Sequence, residues 1–244
     1  MENYTNFELI AKGGFSSCYK CICILDNKTY CMKKINDNTI FNDFLKFFRQ
    51  EVKNLKKISY EYIIKYYNSF IIENTYFIIL EYFEGEELLN YSNNNQLSLY
   101  DNKQIFLKIV EACNYLHSNN IIHRDLKLEN ILINKNRDIK LIDFGFSHKI
   151  DKEKKINEIV GTEGYMSLEC KYRTSYYDIY DDMWTLGIIL FLLVEGDFPN
   201  DYYNYNFIKN DTPEEYKMLI KSLLIKKKYR IDTNVILQNK WLIE

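Results

Sequence analysis

One short stretch of the sequence, residues 123 to 130 (HRDLKLEN), carries three side chains with complementary chemistry. Asp125 is a carboxylate that could accept a proton, Lys127 is a cation that could contact a phosphate, and Asn130 offers an amide oxygen to a metal ion. A helical apolar pattern precedes the stretch and a strand-like apolar run follows it, so we expect all three on one loop. The stretch therefore combines a base, a phosphate-binding cation and a metal ligand.

A second acid follows this loop at a distance that suits a single hairpin. Two apolar runs, Ile131 to Ile133 and Ile139 to Ile142, separate Asn130 from Asp143. Pairing of these runs would bring the oxygens of Asn130 and Asp143 to one divalent cation. Mg²⁺ prefers such a site, because it binds through one or two protein oxygens together with substrate phosphates and water.

Both motifs resemble those of the eukaryotic protein kinases. The loop matches the catalytic-loop pattern H-R-D-L-x-x-x-N, and Asp143-Phe144-Gly145 matches D-F-G. The resemblance implies that Asp125 orients the proton of the substrate hydroxyl and that Lys127 offsets charge on the transferred phosphoryl group. It also implies that the cofactors are ATP and Mg²⁺, with Asn130 and Asp143 as the metal ligands.

The elements that must position this site begin with strand patterns in residues 7 to 35. The nucleotide-binding loop of the family, G-x-G-x-x-G, falls on Ala11, Gly13 and Ser16, so only the middle glycine remains. Gly13 and the adjacent Gly14 would let backbone amides approach the phosphates, whereas the Cβ atoms at positions 11 and 16 stiffen the loop. We therefore expect weakened rather than abolished nucleotide affinity.

A lysine and a glutamate are expected to meet beside this loop. Tyr30-Cys31-Met32-Lys33 resembles V-A-I-K, which makes Lys33 the candidate ligand of the α- and β-phosphates. Apolar residues recur at helical spacing from Phe41 to Ile58, and Glu51 lies on that predicted helix. The resemblance implies a Lys33–Glu51 ion pair that fixes the ammonium over the phosphates.

The resemblance also places the adenine pocket. Tyr82 to Leu88 resembles the kinase hinge, Leu80 would guard the pocket behind it, and Glu87 would lie near the ribose. Cys18 and Cys31 fall on the positions that sandwich adenine in the family, so we hypothesise that a thiol borders each face of the base and that alkylation competes with ATP. The alternative is two inert core thiols. The residues assigned to the base and ribose are Cys18, Cys31, Leu80, Glu81, Phe83, Glu87 and Leu132.

The stretch from Gly161 to Glu169 (GTEGYMSLE) resembles the element G-T-x-x-Y-x-A-P-E, which closes the activation segment of protein kinases and docks a peptide. By the same resemblance, Arg230 is predicted to pair with Glu169. Lys127 together with Thr162 favours a serine or threonine acceptor over tyrosine. The expected partner is therefore a protein substrate with a Ser or Thr hydroxyl.

Glu158 lies where relatives in this family carry an activating phosphothreonine. Residues 148 to 160 contain no Ser, Thr or Tyr that could be phosphorylated. We hypothesise that Glu158 pairs with Arg124 and partly replaces the phosphate, although a carboxylate has less charge and fewer acceptors. The alternative is a glutamate that is merely solvated.

Composition limits the class of protein and its partners. The chain of 244 residues is 47% hydrophobic, and 32 basic against 34 acidic side chains give a net charge of −2. This balance gives no electrostatic reason to expect nucleic acid or a membrane as a partner, and no apolar run approaches the roughly 18 residues of a membrane span. Six cysteines without a second pair of zinc ligands favour reduced thiols, hence a cytoplasmic or nuclear location.

The resemblance covers almost the whole chain and implies an α+β, two-lobed protein kinase fold in a single domain, residues 1–244. We expect a small N-lobe of mostly antiparallel sheet with one helix to about residue 81, a hinge at 82–87, and a larger, mainly helical C-lobe from 88 to 244. A monomer is expected. No autoinhibitory segment is recognised at either end, so regulation is expected from a partner protein.

Two alternatives share this fold. One is a pseudokinase, a scaffold that binds nucleotide or partners without transferring phosphate, and the other is a small-molecule kinase. Retention of the five polar residues of the site argues against the first: Lys33, Glu51, Asp125, Asn130 and Asp143. The peptide-docking element at 161–169 argues against the second.

Overall fold

A five-stranded antiparallel sheet occupies the first third of the chain. The structure is a computed structural model, and it describes residues 2–14, 16–35, 44–151, 153, 155–202, 206–209 and 211–243. The strands lie in the order β1-β2-β3-β5-β4 across the sheet. They are β1 (Tyr4–Lys12), β2 (Ser16–Cys23), β3 (Thr29–Ile35), β4 (Tyr66–Ile72) and β5 (Thr75–Glu81).

The two faces of this sheet belong to different apolar layers, because successive side chains of a strand point to opposite faces. The outer face has its own cluster, which includes Cys21, Cys23, Tyr30, Met32, Phe77 and Ile79. Ile35, Ile78 and Leu80 alternate with these residues and join the main core. Lys33 lies two residues before Ile35 on β3, so its side chain leaves the strand on the same inner face, toward the main core.

Helix α1 (Phe44–Leu55) packs against that inner face. Phe48, Val52 and Leu55 are buried at helical spacing, and the same helix buries Glu51. The sequence predicts a helix from Phe41 to Ile58. Residues 36–43, which include that start, lie outside the described residues, and the helix ends at Leu55 because the chain turns there, with the Ile58 N–H donating to the Leu55 carbonyl at 3.2 Å.

The C-terminal part is mainly helical. Its helices are α2 (Leu88–Asn94), α3 (Leu99–Ser118), α4 (Leu168–Lys171), α5 (Ile179–Glu195), α6 (Glu214–Leu223), α7 (Thr233–Leu237) and α8 (Lys240–Ile243). Helix α5 is buried over nearly its whole length, and α3 and α6 pack against it. Within the described part of the chain, no helix is both long and apolar enough to cross a bilayer.

The two central helices begin and end where local chemistry requires. Ser98 and Asp101 form a reciprocal capping box at the start of α3, and Asp178 and Asp181 do so at the start of α5. The sequence predicts an apolar helix from Asp182 to Val194, and the capping box makes α5 begin three residues earlier, at Ile179. It ends at Gly196, whose φ of 90° favours glycine.

Short strands connect the two parts of the molecule. Strands β6 (Glu86–Glu87), β8 (Ile131–Ile133) and β9 (Ile139–Leu141) form one small sheet, and β7 (Ile121–Ile122) pairs with β10 (His148–Lys149). The alternating sequence from Ile63 to Phe70 predicts a strand, but β4 begins only at Tyr66, because Ile63 instead bridges to Leu141 of β9. The α+β, two-lobed arrangement expected from the sequence is confirmed, and the lobe boundaries stay a prediction.

Candidate active site

Lys33 lies between two carboxylates from distant parts of the chain. Its Nζ is 2.7 Å from Glu51 Oε1 on α1 and 2.9 Å from Asp143 Oδ1, which follows β9. The side chains of Lys33 and Glu51 are 10% and 3% exposed, whereas that of Asp143 is 47% exposed. The predicted Lys33–Glu51 ion pair is confirmed, and Asp143 extends it toward the open side of the site.

Burial and opposite charges set the protonation of these three groups. Burial alone would lower the pKa of Lys33, but the Asp143 and Glu51 carboxylates outweigh it and raise that pKa above its ordinary value. The charge of Lys33 lowers the pKa of Asp143 to about 2. Burial raises the pKa of Glu51 against the attraction of Lys33. The ammonium and the Asp143 carboxylate are therefore both charged at neutral pH.

The β8–β9 hairpin brings Asp143 beside Asn130. The backbone N–H of Ile142 donates to the Asn130 carbonyl at 2.9 Å, so Asp143 is the next residue after this contact. Asp143 has a left-handed backbone, with φ of 59°, and its Oδ1 accepts from the Gly145 N–H at 3.3 Å. A left-handed non-glycine residue is strained and needs its surroundings to hold it, which the Lys33 contact does here.

The loop before β8 gathers three polar side chains around Asp125. Asn130 Nδ2 donates to the Asp125 carbonyl at 2.8 Å and to its Oδ2 at 3.0 Å. Thr162 Oγ1 donates to Asp125 Oδ1 at 2.8 Å and accepts from Lys127 Nζ, also at 2.8 Å. Lys127 Nζ is in addition 3.2 Å from Asp125 Oδ2. The loop thus brings together the predicted base, phosphate-binding cation and amide.

Asp182 on α5 holds the loop at 123–130 in place through its backbone N–H groups. Its carboxylate accepts the backbone N–H groups of His123 at 3.0 Å and Arg124 at 3.1 Å, and His117 Nε2 is 2.9 Å away. Burial would raise the pKa of Asp182, but the His117 contact and the backbone donors lower it, so the group stays an anion. This anion supports a left-handed backbone at Arg124, with φ of 68°.

A cavity of about 340 Å³ opens between the glycine turn and the loop. Gly13, Gly14, Lys33, Glu51, Asp125, Lys127, Asp143 and Thr162 line it. Among the described residues, a Cβ at Gly13 would meet only the Ser16 carbonyl, at 3.7 Å, and one at Gly14 would meet nothing within 4 Å. The fold itself therefore does not require glycine at 13 or 14, and the open space is left for a ligand. Phe15, between them and β2, lies outside the described residues.

This arrangement agrees with comparisons to known sequences. A sequence model of the protein kinase domain matches residues 4–242 of the chain. The chain belongs to the protein kinase family. Members of this family transfer the γ-phosphoryl group of ATP, using Mg²⁺.

Several relatives are protein kinases by name. The chain is 31% identical to Serine/threonine-protein kinase nekl-2 of Caenorhabditis elegans, over 92% of this chain and 70% of that protein. It is 33% identical to Probable serine/threonine-protein kinase PLK of Dictyostelium discoideum, over 82% of this chain and 20% of that protein. It is 32% identical to NUAK family SNF1-like kinase 1 of Homo sapiens, over 86% of this chain and 32% of that protein. This kinase domain thus spans most of the nematode protein and a third or less of the other two.

Several of the residues assigned to the base and ribose lie on paired strands. Leu80 is buried directly opposite Cys31 in the sheet, and Leu132 of β8 pairs with Glu87 of β6. Within the described chain, the backbone N–H and carbonyl of Phe83 have no hydrogen-bond partner. These groups are therefore available to a ligand.

Glu81 departs from the assignment to the base. Its carboxylate is 3.0 Å from Lys140 Nζ and accepts the Lys65 N–H at 3.2 Å, so its side chain serves to tie β5 to β9. Its backbone N–H donates to the Lys65 carbonyl at 2.8 Å and is therefore not available to a ligand. Ala11 pairs with Cys18 at the end of β1, next to the glycine turn.

The expectation of one thiol on each face of adenine is wrong. In the β2–β3 register Cys18 lies opposite Lys33, and Cys31 precedes Lys33 by two residues on β3. Opposite residues and residues two apart share one face of a sheet, so both thiols lie on the same face. Leu132 lies in β8, a strand of the other, three-stranded sheet.

Glu158 in the activation segment has two cationic neighbours. Its Oε1 is 2.6 Å from Lys46 Nζ on α1, and its Oε2 is 3.8 Å from a terminal nitrogen of Arg124. The hydrogen bond from Lys46 lowers the pKa of Glu158, and Arg124 adds to the effect. The predicted contact with Arg124 is present but is longer than a hydrogen bond, and Lys46 is the nearer partner.

The end of the activation segment is fixed to the C-terminal helices. Arg230 donates to both carboxylate oxygens of Glu169, at 3.2 and 3.0 Å, and to the Tyr180 carbonyl at 2.7 Å. The predicted Glu169–Arg230 pair is confirmed. Its arginine side chain is 0% exposed and its glutamate 14%.

Sequence reasoning missed several contacts that hold the site. The Lys46–Glu158 pair and the hydrogen bonds from Asn54 to Ser147 join α1 to the second half of the chain. Neither pair carries a signal at the sequence level, since each joins ordinary polar residues that are distant in the chain. Thr162 does lie in the recognised element at 161–169, so its position could have been inferred.

Proposed function

We propose that this chain is an active serine/threonine protein kinase, which transfers the γ-phosphoryl group of ATP to Ser or Thr hydroxyls of protein substrates. The observation that carries the proposal is the Lys33 ammonium held at once by Glu51 and Asp143. In the kinase family, this connection between a strand, a helix and the D-F-G segment accompanies the catalytically competent arrangement. The names of the relatives support the acceptor class.

The nucleotide would lie in the cavity under the glycine turn. Lys33 supplies a fixed positive charge for the α- and β-phosphates, and its two carboxylate partners keep it from swinging away. The backbone of Gly13 and Gly14 can approach phosphates without hindrance from a Cβ. The unpartnered backbone groups of Phe83 offer one donor and one acceptor to the adenine edge.

The oxygen donors of Asn130 and Asp143 fit Mg²⁺. The Asn130 amide nitrogen donates to Asp125, which leaves Oδ1 as an acceptor, and within the described chain Asp143 Oδ2 accepts no hydrogen bond. One amide oxygen and one carboxylate are a donor set that this ion takes in combination with phosphates. When bound, Mg²⁺ would neutralise charge on the phosphates.

Asp125 would position the acceptor hydroxyl. An ionised carboxylate has about four acceptor sites, and Asn130, Thr162 and Lys127 occupy three of them here. The remaining site can accept the proton of an incoming Ser or Thr hydroxyl. Lys127 lies on the same carboxylate and so adds positive charge beside the oxygen that attacks.

Transfer of labelled γ-phosphate to a basic protein such as histone, with Mg²⁺ present, tests this function. We expect incorporation on serine and threonine, measured by phosphoamino-acid analysis. Asp125→Asn should lower the rate by about 10²–10⁴, the usual contribution of a positioned base. Asp138→Asn, which removes a carboxylate at the tip of the β8–β9 hairpin, is the matched control and should leave the rate unchanged.

Two outcomes would overturn the proposal. If ATP binds by calorimetry but no transfer occurs with Mg²⁺ or Mn²⁺, the chain is a nucleotide-binding scaffold. Incorporation on tyrosine alone would overturn the acceptor class. The monomeric state, the regulatory partner and the cytoplasmic or nuclear location stay predictions.

A further inference from the structure

A buried carboxylate on α5 contacts the peptide-docking element at 161–169. Asp181 is 1% exposed. Its Oδ1 accepts from the Ser167 hydroxyl at 2.5 Å, and its Oδ2 accepts from Lys227 Nζ at 2.6 Å. Ser167 belongs to the docking element, and Lys227 lies between α6 and α7. Asp181 therefore joins three separate parts of the C-terminal half of the chain.

The ion pair between Asp181 and Lys227 is shielded from solvent. The side chain of Lys227 is 13% exposed and that of Asp181 is 1% exposed. Within the described chain, Lys227 is the only cation paired with Asp181, although its Nζ also lies 3.2 Å from the half-exposed carboxylate of Asp178. A buried carboxylate that loses its cation is costly, so the local structure depends on Lys227.

Ser167 connects this ion pair to the start of α4. Its hydroxyl donates to Asp181 and accepts the Cys170 N–H at 3.2 Å, so it caps the helix. The family pattern has Ala-Pro where this chain has Ser167 and Leu168. Proline at the first helical position fixes the backbone in advance, and this chain lacks it. The hydroxyl cap and its buried carboxylate partner hold the start of α4 instead.

The other end of the docking element reaches the catalytic base. Thr162 Oγ1 donates to Asp125 Oδ1 at 2.8 Å. Between the two ends, the Thr185 hydroxyl lies 3.1 Å from both the Tyr165 carbonyl and the Asp181 carbonyl. The placement of the element beside Asp125 is therefore linked to Asp181 at more than one point.

Lys227 also holds the end of the element through its backbone. Its N–H donates to Glu169 Oε1 at 2.7 Å, while its ammonium donates to the Tyr176 carbonyl at 2.6 Å. Glu169 is the last residue of the element, and Tyr176 lies in the loop between α4 and α5. One lysine thus contacts the element, the loop after it and the buried carboxylate of α5.

We propose that Ser167, Asp181 and Lys227 are positioning residues, which set where the element at 161–169 docks the protein substrate relative to Asp125. The contacts of this positioning network stand by themselves, whereas their effect on docking rests on the proposed function. Loss of the network should weaken binding of the protein substrate. It should leave nucleotide binding unchanged, because the contacts among Lys33, Glu51 and Asp143 lie on other elements.

Hydrogen exchange tests the network without any measurement of activity. Amide exchange of the full chain is followed by mass spectrometry of peptic fragments. Ser167→Ala should speed exchange in fragments that cover residues 161–171 by about tenfold, because it removes a hydrogen bond to a buried charge. Fragments that cover α1 and β3 should exchange as in the unsubstituted chain. An unchanged rate at 161–171 would overturn the proposal.

Steady-state kinetics with histone and ATP test the consequence for docking. Lys227→Met should lower kcat/KM for histone by about 10- to 100-fold, mainly through KM, because a displaced element aligns the acceptor poorly with Asp125. The KM for ATP should stay the same. Lys226→Met, at the exposed neighbouring lysine, is the matched control and should behave like the unsubstituted chain.

A merely structural role predicts a different result. Partial unfolding would reduce the amount of active protein, which lowers kcat and leaves both KM values unchanged, and that result would refute the positioning role. Ser167→Ala keeps both charges and covers the case in which Lys227→Met does not fold. It should raise the KM for histone and not that for ATP, and a normal histone KM in this variant would contradict the proposal.

The two proposals fail separately in these experiments. Absence of transfer from the unsubstituted chain would remove the proposed function, and hydrogen exchange would still decide whether the network holds the docking element. Transfer by the unsubstituted chain, with a normal histone KM in both Ser167→Ala and Lys227→Met, would remove the positioning role alone.

Discussion

Asp143 is the residue at which the charge balance of the site can be tested by pH. Its pKa lies near 2 because of Lys33, below the ordinary value of about 3.9 for an aspartate. A carboxylate with a depressed native pKa stabilises the fold fully above the ordinary pKa and loses that contribution as the pH falls toward the native pKa. The relevant window is therefore about pH 4 to pH 2.

We predict that Asp143→Asn has a lower free energy of unfolding than the unsubstituted chain at pH 6. The difference between the two free energies should narrow as the pH falls from about 4 to about 2. Asparagine also tolerates a left-handed backbone, so the comparison isolates the charge. The free energy of unfolding in urea at several pH values measures it. Asp211→Asn, at an exposed carboxylate, should show no such trend. A difference independent of pH would mean that Lys33 does not stabilise the ionised form.

Glu158 gives a second test at the scale of single residues. Its ion pair with Lys46 is largely exposed, with side chains 46% and 60% accessible, so it is worth at most about 1 kcal/mol. If the pair helps to hold α1 in its catalytic position, Glu158→Ala should lower kcat by up to about fivefold. The loss should shrink at high salt, since exposed charges are screened.

The control for this change is Glu153→Ala in the same segment, which should keep normal turnover. Steady-state kinetics at low and high ionic strength distinguish the two variants. If Glu158→Ala turned over at the normal rate at low salt, Glu158 would be a solvated side chain and would not replace a phosphate.

The residues that perform the chemistry could be predicted because each belongs to a short motif with a stated role. Lys33, Asp125, Asn130 and Asp143 are all in the predicted cluster. The sides of the cleft could not be predicted in the same way: the error over Cys18 and Cys31 arose because a motif match gives positions along a strand and not which face each side chain takes. Strand register, which long-range pairing decides, supplies that information.

Among the secondary-structure elements, α1 is the one whose position matters most for the site, because it carries Glu51, the partner of Lys33. Three residues further along, Asn54 Nδ2 donates to the Ser147 carbonyl at 3.1 Å and to its hydroxyl at 2.9 Å, and the Ser147 hydroxyl donates to the Phe144 carbonyl at 2.6 Å. Asn54 and Ser147 are 1% and 0% exposed. This chain of hydrogen bonds ties the helix to the segment that contains Asp143.

We predict that Asn54→Ala destabilises the chain by about 1–3 kcal/mol, because it leaves a buried carbonyl without a donor. It should also lower kcat, since α1 loses a constraint that keeps Glu51 beside Lys33. Urea unfolding and ATP-dependent kinetics measure the two effects. Lys53→Ala, on the exposed face of the same helix, should change neither. Unchanged stability in Asn54→Ala would show that water replaces the amide.

The boundaries of secondary-structure elements are easier to predict where local contacts set them than where long-range pairing sets them. The start of α5 at Ile179 is explained by the Asp178–Asp181 capping box, which lies outside the apolar pattern that located the helix. The loss of strand structure before Tyr66 has no such local cause, because Ile63 bridges to a residue of β9 far along the sequence. The first kind of boundary can be read from sequence, and the second depends on the tertiary fold.

At the scale of the whole molecule, the order of motifs along the chain predicts the two-part fold, since each motif belongs to a known element. The connection from Pro199 to Arg230 is less predictable, because no motif occupies most of it. No helix occurs between α5 and α6 within its described residues, 197–202, 206–209 and 211–213. The Glu169–Arg230 pair fastens the C-terminal end of this connection to the end of the activation segment.

That pair should therefore control the stability of the helical part. Arg230→Met leaves the Glu169 carboxylate largely buried without its cation, and breaking a buried pair in this way costs about 3–5 kcal/mol. The double variant Glu169→Gln/Arg230→Met removes both charges and should be more stable than Arg230→Met alone, because no uncompensated charge remains. Urea unfolding of the single and double variants measures the coupling. If the two substitutions were simply additive, the pair would be an incidental contact, and other contacts would have to hold the activation segment, such as the hydrogen bond from the Thr185 hydroxyl to the Tyr165 carbonyl at 3.1 Å.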